Sequence, residues 1–233
     1  MQNTNINTKA IVEAGLISSI IVVLMMITIY VPLFSIVGVF ILPVPVTVLY
    51  IRHNLKITLG AVIVSTIFTS MFYNPVYAVP LLFMMGSTGT ALGYCIKKNK
   101  STWFTLTLLA FVSIAALGID MAVYITFTSQ GGFMAFVNEQ VNATKNSMSS
   151  IIQMYKNSGM SEAQLQQLNS SMAMFTPEFF IQMIPAMLVV MGFSSAWINY
   201  SLTRTILKKM RYEVPALAPF SSLYLNNRIG TVI

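Results

Sequence analysis

Long apolar runs alternate with short polar connections along most of the chain. Each run is about 20 residues long, which is the length at which an α-helix crosses a hydrocarbon core of about 30 Å. This pattern predicts an all-α, polytopic membrane bundle of about six transmembrane helices. The predicted spans are 10–30, 33–51, 57–73, 77–96, 103–128 and 178–202.

The longest polar interval, 129–176, has its own pattern and is rich in Asn, Gln, Ser and Met. Its apolar residues fall on one helical face, Gly159 ends that helix, and Ser161 to Gln164 form a capping box for a second one. The sequence therefore predicts a helical hairpin outside the membrane, between spans five and six. Two roles stay open for it, a lid that only packs and a gate over a binding cavity.

Composition and charge support a membrane protein and give it an orientation. Of the residues, 56% are hydrophobic and 8% are charged, and the net charge is +7. The basic residues lie between apolar runs, which favours orientation signals over a nucleic-acid interface. By the positive-inside rule we expect a multi-pass protein of the cell membrane with both termini in the cytoplasm. The predicted domains are a tail (1–9), a five-span bundle (10–128), the hairpin segment (129–176), the sixth span (177–203) and a basic tail (204–233).

The chain lacks the residue combinations that most enzymes need. It has no glycine-rich phosphate loop, one histidine, one cysteine and six acidic residues that are spread along the sequence. We therefore expect no catalytic residues, no metal site and no cofactor, and we do not expect an enzyme.

Polar residues at one depth of the spans are candidates for a substrate-binding site. Asp120 lies about 17 residues beyond Trp103, or roughly 25 Å along the helix. A carboxylate inside a span should face the bundle or a watery cavity. One interpretation is a structural hydrogen bond, and the other is the polar wall of a pocket. The candidate wall residues are Asp120, Tyr124, Tyr73, Asn74, Tyr77 and Gln182.

Small residues form two helical faces that favour close packing. Gly89 and Gly93 in the fourth span are typical of internal helix packing. In the first span, Ala10, Ala14 and Ser18 form a ridge that is a candidate contact for a partner protein. Glu13, close to this ridge, is expected to pair with a basic loop.

The stretch LPVPV interrupts the second span with Pro43 and Pro45. In a continuous helix these prolines leave the carbonyls of Val39 and Ile41 without amide partners. Such groups are tolerated in a membrane only against protein, water or a ligand. The second span is therefore predicted to be a broken, bundle-facing element. Either neighbouring helices satisfy the kink, or the break contacts a ligand.

Two resemblances add expectations about function. The pattern Ala10-x-x-x-Ala14, six spans and the absence of an ATPase motif resemble the substrate-capture (S) components of energy-coupling factor (ECF) transporters. That resemblance implies uptake of a small molecule of unknown identity. Its energy would come from a separate energy-coupling transmembrane subunit and two ATPases, with the first helix as the contact.

The segments LPVPVTVLYIRHN and RYEVPALAPF, with the long polar interval between them, resemble the YybS-type bacterial membrane proteins. This family has no known function and is related to the S components. Its pattern continues beyond VPALAPF into further hydrophobic spans, so this chain is expected to be truncated relative to it. The alternative function is a non-transporting membrane scaffold or an envelope-associated regulatory protein.

Overall fold

The computed structural model describes residues 8–129, 131–212, 214 and 215. These residues form α-helices and no strand. The parts of the predicted tails at 1–7 and 216–233 lie outside the described residues. In chain order the helices are α1 (Thr8–Tyr30), α2 (Pro32–Ile41), α3 (Pro43–Arg52), α4 (Leu55–Phe72), α5 (Pro75–Lys97), α6 (Thr102–Phe127), α7 (Gly132–Asn157), α8 (Glu162–Ala173) and α9 (Pro177–Lys209).

Within the described residues, six segments are long and apolar enough to cross a membrane. They are α1, the pair α2 and α3 taken together, α4, α5, α6 and α9. The predicted all-α class and six spans are confirmed. The largest difference in a boundary is at the end of α9, which runs to Lys209 and not to residue 202, whereas the other boundaries agree within two residues. Thr203 and Leu207 are fully buried, and this packing holds the additional turns in helical form.

The chain divides into two compact units, Met1–Ser113 with Gly192–Ile233, and Ile114–Met191. In the first unit, α1, α3, α4 and α5 share one hydrophobic core. Its buried side chains are Ile17, Ile21, Met25, Leu42, Val46, Leu49, Ala61, Leu82 and Met85. Burial at these positions places α3 among its neighbours and not at their edge.

The glycine face of α5 brings that helix very close to α3. A Cβ atom added at Gly89 would lie 2.7 Å from the carbonyl oxygen of Pro43, and one added at Gly93 would lie 2.6 Å from Cβ of Tyr50. Only residues without a side chain allow this approach. The predicted role of this face in internal packing is confirmed.

The second span breaks at Leu42, directly before Pro43. Leu42 keeps helical angles (φ −53°, ψ −37°), and its amide donates to the carbonyl of Gly38 at 2.9 Å. The span is therefore kinked and not unwound. The hydroxyl of Thr47 donates to the carbonyl oxygens of Pro43 at 2.9 Å and Gly89 at 3.0 Å. The second of these contacts fixes the start of α3 against α5, and both alternatives for the kink, neighbouring helices or a ligand, stay predictions.

In the second unit, α7 and α8 form the predicted helical hairpin. Gly159 has a positive φ of 83° in the connecting turn, a conformation that side chains disfavour. The hydroxyl of Ser161 accepts from the amide of Gln164 at 3.5 Å, and the side-chain oxygen of Gln164 accepts from the amide of Ser161 at 3.3 Å. This reciprocal pair is the predicted capping box. The position of the hairpin outside the membrane stays a prediction.

Candidate functional site

A polar cluster in the first unit joins the start of α1 to the end of α3. The Glu13 carboxylate forms an ion pair with Nη1 of Arg52, and its other oxygen lies 2.8 Å from Nε2 of His53. Nε of Arg52 donates to the hydroxyl of Tyr212 at 3.2 Å. The prediction that Glu13 pairs with a basic loop is confirmed. We call Glu13, Arg52, His53 and Tyr212 the basic-end cluster.

Lys97 holds the end of α3 from the side of α5. Its ammonium donates to the backbone carbonyls of Tyr50, at 3.3 Å, and His53. It also lies 5.8 Å from the centre of the Tyr50 ring. A cation suits this place, because the last carbonyls of a helix lack amide partners and carry partial negative charge. The end of α3 is thus fixed from α1 and α5 together.

The segment after α9 packs back onto the first unit. The hydroxyl of Tyr200 donates to the carbonyl of Pro215 at 2.8 Å, and Nε of Arg204 donates to the carbonyl of Val214 at 3.4 Å. Val214 also packs against two hydrophobic clusters, which contain Tyr200 and Leu207. The sequence predicted only a basic tail here. The apolar side chains of Tyr212 and Val214 among basic residues were the available signal.

An open groove of about 900 Å³ lies beside the basic-end cluster. Charged side chains form its base, and the apolar side chains of α1 form a wall. The lining residues are Thr8, Lys9, Val12, Glu13, Leu16, Arg52, His53 and Tyr212. The groove therefore places cationic groups next to an apolar surface.

Three predicted wall residues lie together at the turn between α4 and α5, in the first unit. The rings of Tyr73 and Tyr77 are 6.1 Å apart, centre to centre. The side-chain oxygen of Asn74 accepts from the amide of Val76 at 3.0 Å, which caps α5. Asn74 thus has a structural role that accounts for its position. Binding of a substrate at this turn stays a prediction.

The other three predicted wall residues belong to the second unit. Asp120 is exposed on α6, Tyr124 is half-buried one turn later, and Gln182 is exposed on α9. The hydroxyl of Tyr124 donates to Oε2 of Glu139 at 3.5 Å, and its ring meets that of Phe136 edge-on at 5.7 Å. Sequence reasoning missed Glu139 and Phe136, because they come from α7 and no local pattern links them to α6.

The ridge predicted as a partner contact faces α4. Ala10 is 2% exposed and Ser18 is 5% exposed. The Ser18 hydroxyl donates to the carbonyl of Ala61 at 3.2 Å, and Ala14 packs against the core of the first unit. The ridge therefore serves internal packing in this structure. A partner contact on Ala10, Ala14 and Ser18 stays a prediction, and it requires α1 to move away from α4.

These observations define a class, the α-helical membrane proteins with six candidate spans among the residues described. Within that class, the chain belongs to the family described as "Predicted membrane protein (DUF2232)", which matches residues 19–233. It is similar to "Uncharacterized protein YybS" of Bacillus subtilis (strain 168), with 23% identity over 222 residues. That match covers 93% of this chain and 67% of the relative. No solved structure matches the chain.

The family match confirms the resemblance to YybS-type proteins. The relation to the S components of ECF transporters stays a prediction.

Proposed function

We propose that this protein is a substrate-capture subunit, which binds a small molecule for uptake that a separate ATPase-containing partner drives. The observation that carries the proposal is the exposed carboxylate of Asp120 on the membrane-spanning helix α6. A carboxylate within a span costs about 2.5–3.5 kcal/mol at the helix centre. Asp120 therefore needs water, a bound molecule or a protein partner beside it.

Asp120 and the side chains that contact Tyr124, one turn later on α6, favour a particular kind of solute. Asp120 and Glu139 offer carboxylate acceptors, and Tyr124 and Phe136 offer aromatic rings. Carboxylates accept hydrogen bonds, and aromatic faces attract cations. The substrate class that fits them is a small molecule with hydrogen-bond donors or a positive charge.

Because the sequence has no phosphate-binding loop, the proposal assigns ATP hydrolysis to a separate partner. With both termini in the cytoplasm, the basic-end cluster would lie on the side where ATPases have access to nucleotide. The closely packed pair α3 and α5 would link that end to the rest of the first unit.

The test is to purify the protein under mild detergent and to identify co-purified small molecules by mass spectrometry. We expect a bound molecule in the wild type, and at least about tenfold less of it in Asp120→Asn, because a hydrogen bond to a charged group contributes about 1.5–3 kcal/mol. The matched control is Glu162→Gln, an exposed acid in the first turn of α8. Equal retention by the two variants, or no bound molecule in any preparation, would contradict the proposal.

The second candidate is a non-transporting scaffold or an envelope-associated regulator. It is favoured by exposed apolar side chains on α7, where Met134 is 50% exposed and Met154 is 61% exposed. A protein would then cover Asp120 and α7. Co-purification of a stoichiometric protein that Asp120→Asn releases, with no small molecule present, would support this candidate over the first.

A further inference from the structure

We propose that the groove beside the basic-end cluster binds an anionic phospholipid. The phosphate would lie against Lys9 and Arg52, and an acyl chain would follow the exposed face of α1. This inference does not depend on the proposed uptake function. It uses only residues of the first unit.

The charge of the groove suits a phosphate. Among the described residues that line the groove, Glu13 supplies the carboxylate, and that carboxylate is already paired with Arg52 and His53. Arg52 uses Nη1 for Glu13 and Nε for Tyr212, and a guanidinium has five N–H donors. Because the Arg52 side chain is 43% exposed, its remaining donors can reach a ligand. Lys9 supplies a second cation on the rim.

The apolar wall of the groove distinguishes a lipid from a soluble phosphate. Val12 is 58% exposed and Leu16 is 63% exposed, and they lie on one helical face of α1. The same face continues through the exposed side chains of Ile20, Val23 and Ile27. From Val12 to Ile27 the helix rises about 22 Å, enough to follow an acyl chain through half of a hydrocarbon core of about 30 Å. A soluble phosphate would use only the cationic base, whereas a phospholipid would use both parts.

The experiment is native mass spectrometry of the full chain after reconstitution into nanodiscs of phosphatidylcholine with phosphatidylglycerol. We expect phosphatidylglycerol to be retained in preference to phosphatidylcholine. Each of Lys9→Gln and Arg52→Gln should reduce that retention about fivefold, because a basic residue near an anionic lipid contributes about 1 kcal/mol. The matched control is Lys98→Gln, an exposed lysine outside the groove, which should leave retention unchanged.

A second pair of variants tests the apolar wall. Leu16→Trp places a bulky ring on the apolar wall of the groove and should weaken lipid binding, whereas Ile63→Trp, at a 58% exposed position of α4, should not. Lys9→Gln and Leu16→Trp keep the Glu13, Arg52 and His53 side chains themselves, so these two variants still test the proposal if Arg52→Gln fails to fold. Equal retention of both lipids, or equal losses in Lys9→Gln and Lys98→Gln, would overturn the proposal. Displacement by millimolar inorganic phosphate, with no effect of Leu16→Trp, would assign the groove to a soluble phosphate instead.

Discussion

The two halves of the second span start in the same way but differ in how many of their side chains are buried. The first half, α2, and the second half, α3, are ten-residue helices that each start at a proline. Only Gly38 is buried in α2, whereas α3 buries Pro43, Val44, Val46, Thr47, Val48 and Leu49. Yet α3 contains Thr47, Tyr50 and Arg52, so the more polar half is the more buried one.

The difference shows what decides burial in a membrane protein. Lipid tails are as apolar as the side chains, so hydrophobicity alone does not bring helices together. The second half lies against Gly89 and Gly93 of α5, where backbones can approach closely, and Thr47 adds a hydrogen bond between the two helices. In the first half, Ser35 bonds only within its own helix, to the carbonyl of Pro32. Close packing and polar contacts, not apolar content, hold α3 inside.

The largest expected effect is a contrast in accessibility between single cysteines in the two halves. In a Cys95→Ala background, a spin label at Ile36, which is 75% exposed, should be mobile and accessible to oxygen. A label at Leu49, which is fully buried, should be immobilised or fail to attach. Electron paramagnetic resonance in nanodiscs measures both properties. Similar spectra at the two sites would remove the distinction between the halves.

The next effect concerns the contact of α3 with α5. Gly89→Ala places a methyl group against the Pro43 carbonyl and should lower the free energy of unfolding by about 1–3 kcal/mol, because overpacking forces backbone movement. The control is Gly60→Ala on α4, where a Cβ atom would meet nothing within 4 Å. Unfolding in a denaturing detergent measures both. The explanation fails if the two variants are equally stable.

The smallest effect separates the hydroxyl groups of the two halves. Thr47→Val keeps the side-chain shape but removes the donor to Gly89, and it should cost about 0.6 kcal/mol, the average for hydrogen bonds between membrane helices. Ser35→Ala in α2 should change stability by less, because that hydroxyl is exposed and joins no second helix. The same unfolding assay compares them. A larger loss for Ser35→Ala would reverse the assignment.

Local signals in the sequence predicted much of the fold. Apolar runs predicted the spans, and Ser161 with Gln164 predicted the start of α8. Thr176 stands directly before Pro177 at the start of α9, a pattern typical of a helix cap, and its hydroxyl accepts from the amide of Phe179 at 3.3 Å. Each of these features depends on residues within a few positions of one another, so one stretch of sequence contains the whole signal.

The rotation of each helix about its axis was harder to predict. The apolar residues of α1 surround it, so the sequence did not show that Ala10 and Ser18 face α4. Asn74 was grouped with binding residues by its depth, although the following proline also marked it as a helix cap. Glu139 reaches Tyr124 from another helix, and no alternation along the chain encodes that pairing. The part of the candidate site that could not be predicted from the sequence is therefore the part formed by contacts between helices.

The segment after α9 has a consequence for the order in which the protein is made. Val214 and Leu207 complete a cluster with Val44 and Val48, and Tyr212 bonds to Arg52 across 160 positions of sequence. Contacts between such distant residues form late. While the ribosome translates the intervening helices, α3 has already emerged without these partners. The second span therefore stays incompletely packed until the segment that contains Tyr212 and Val214 has left the ribosome.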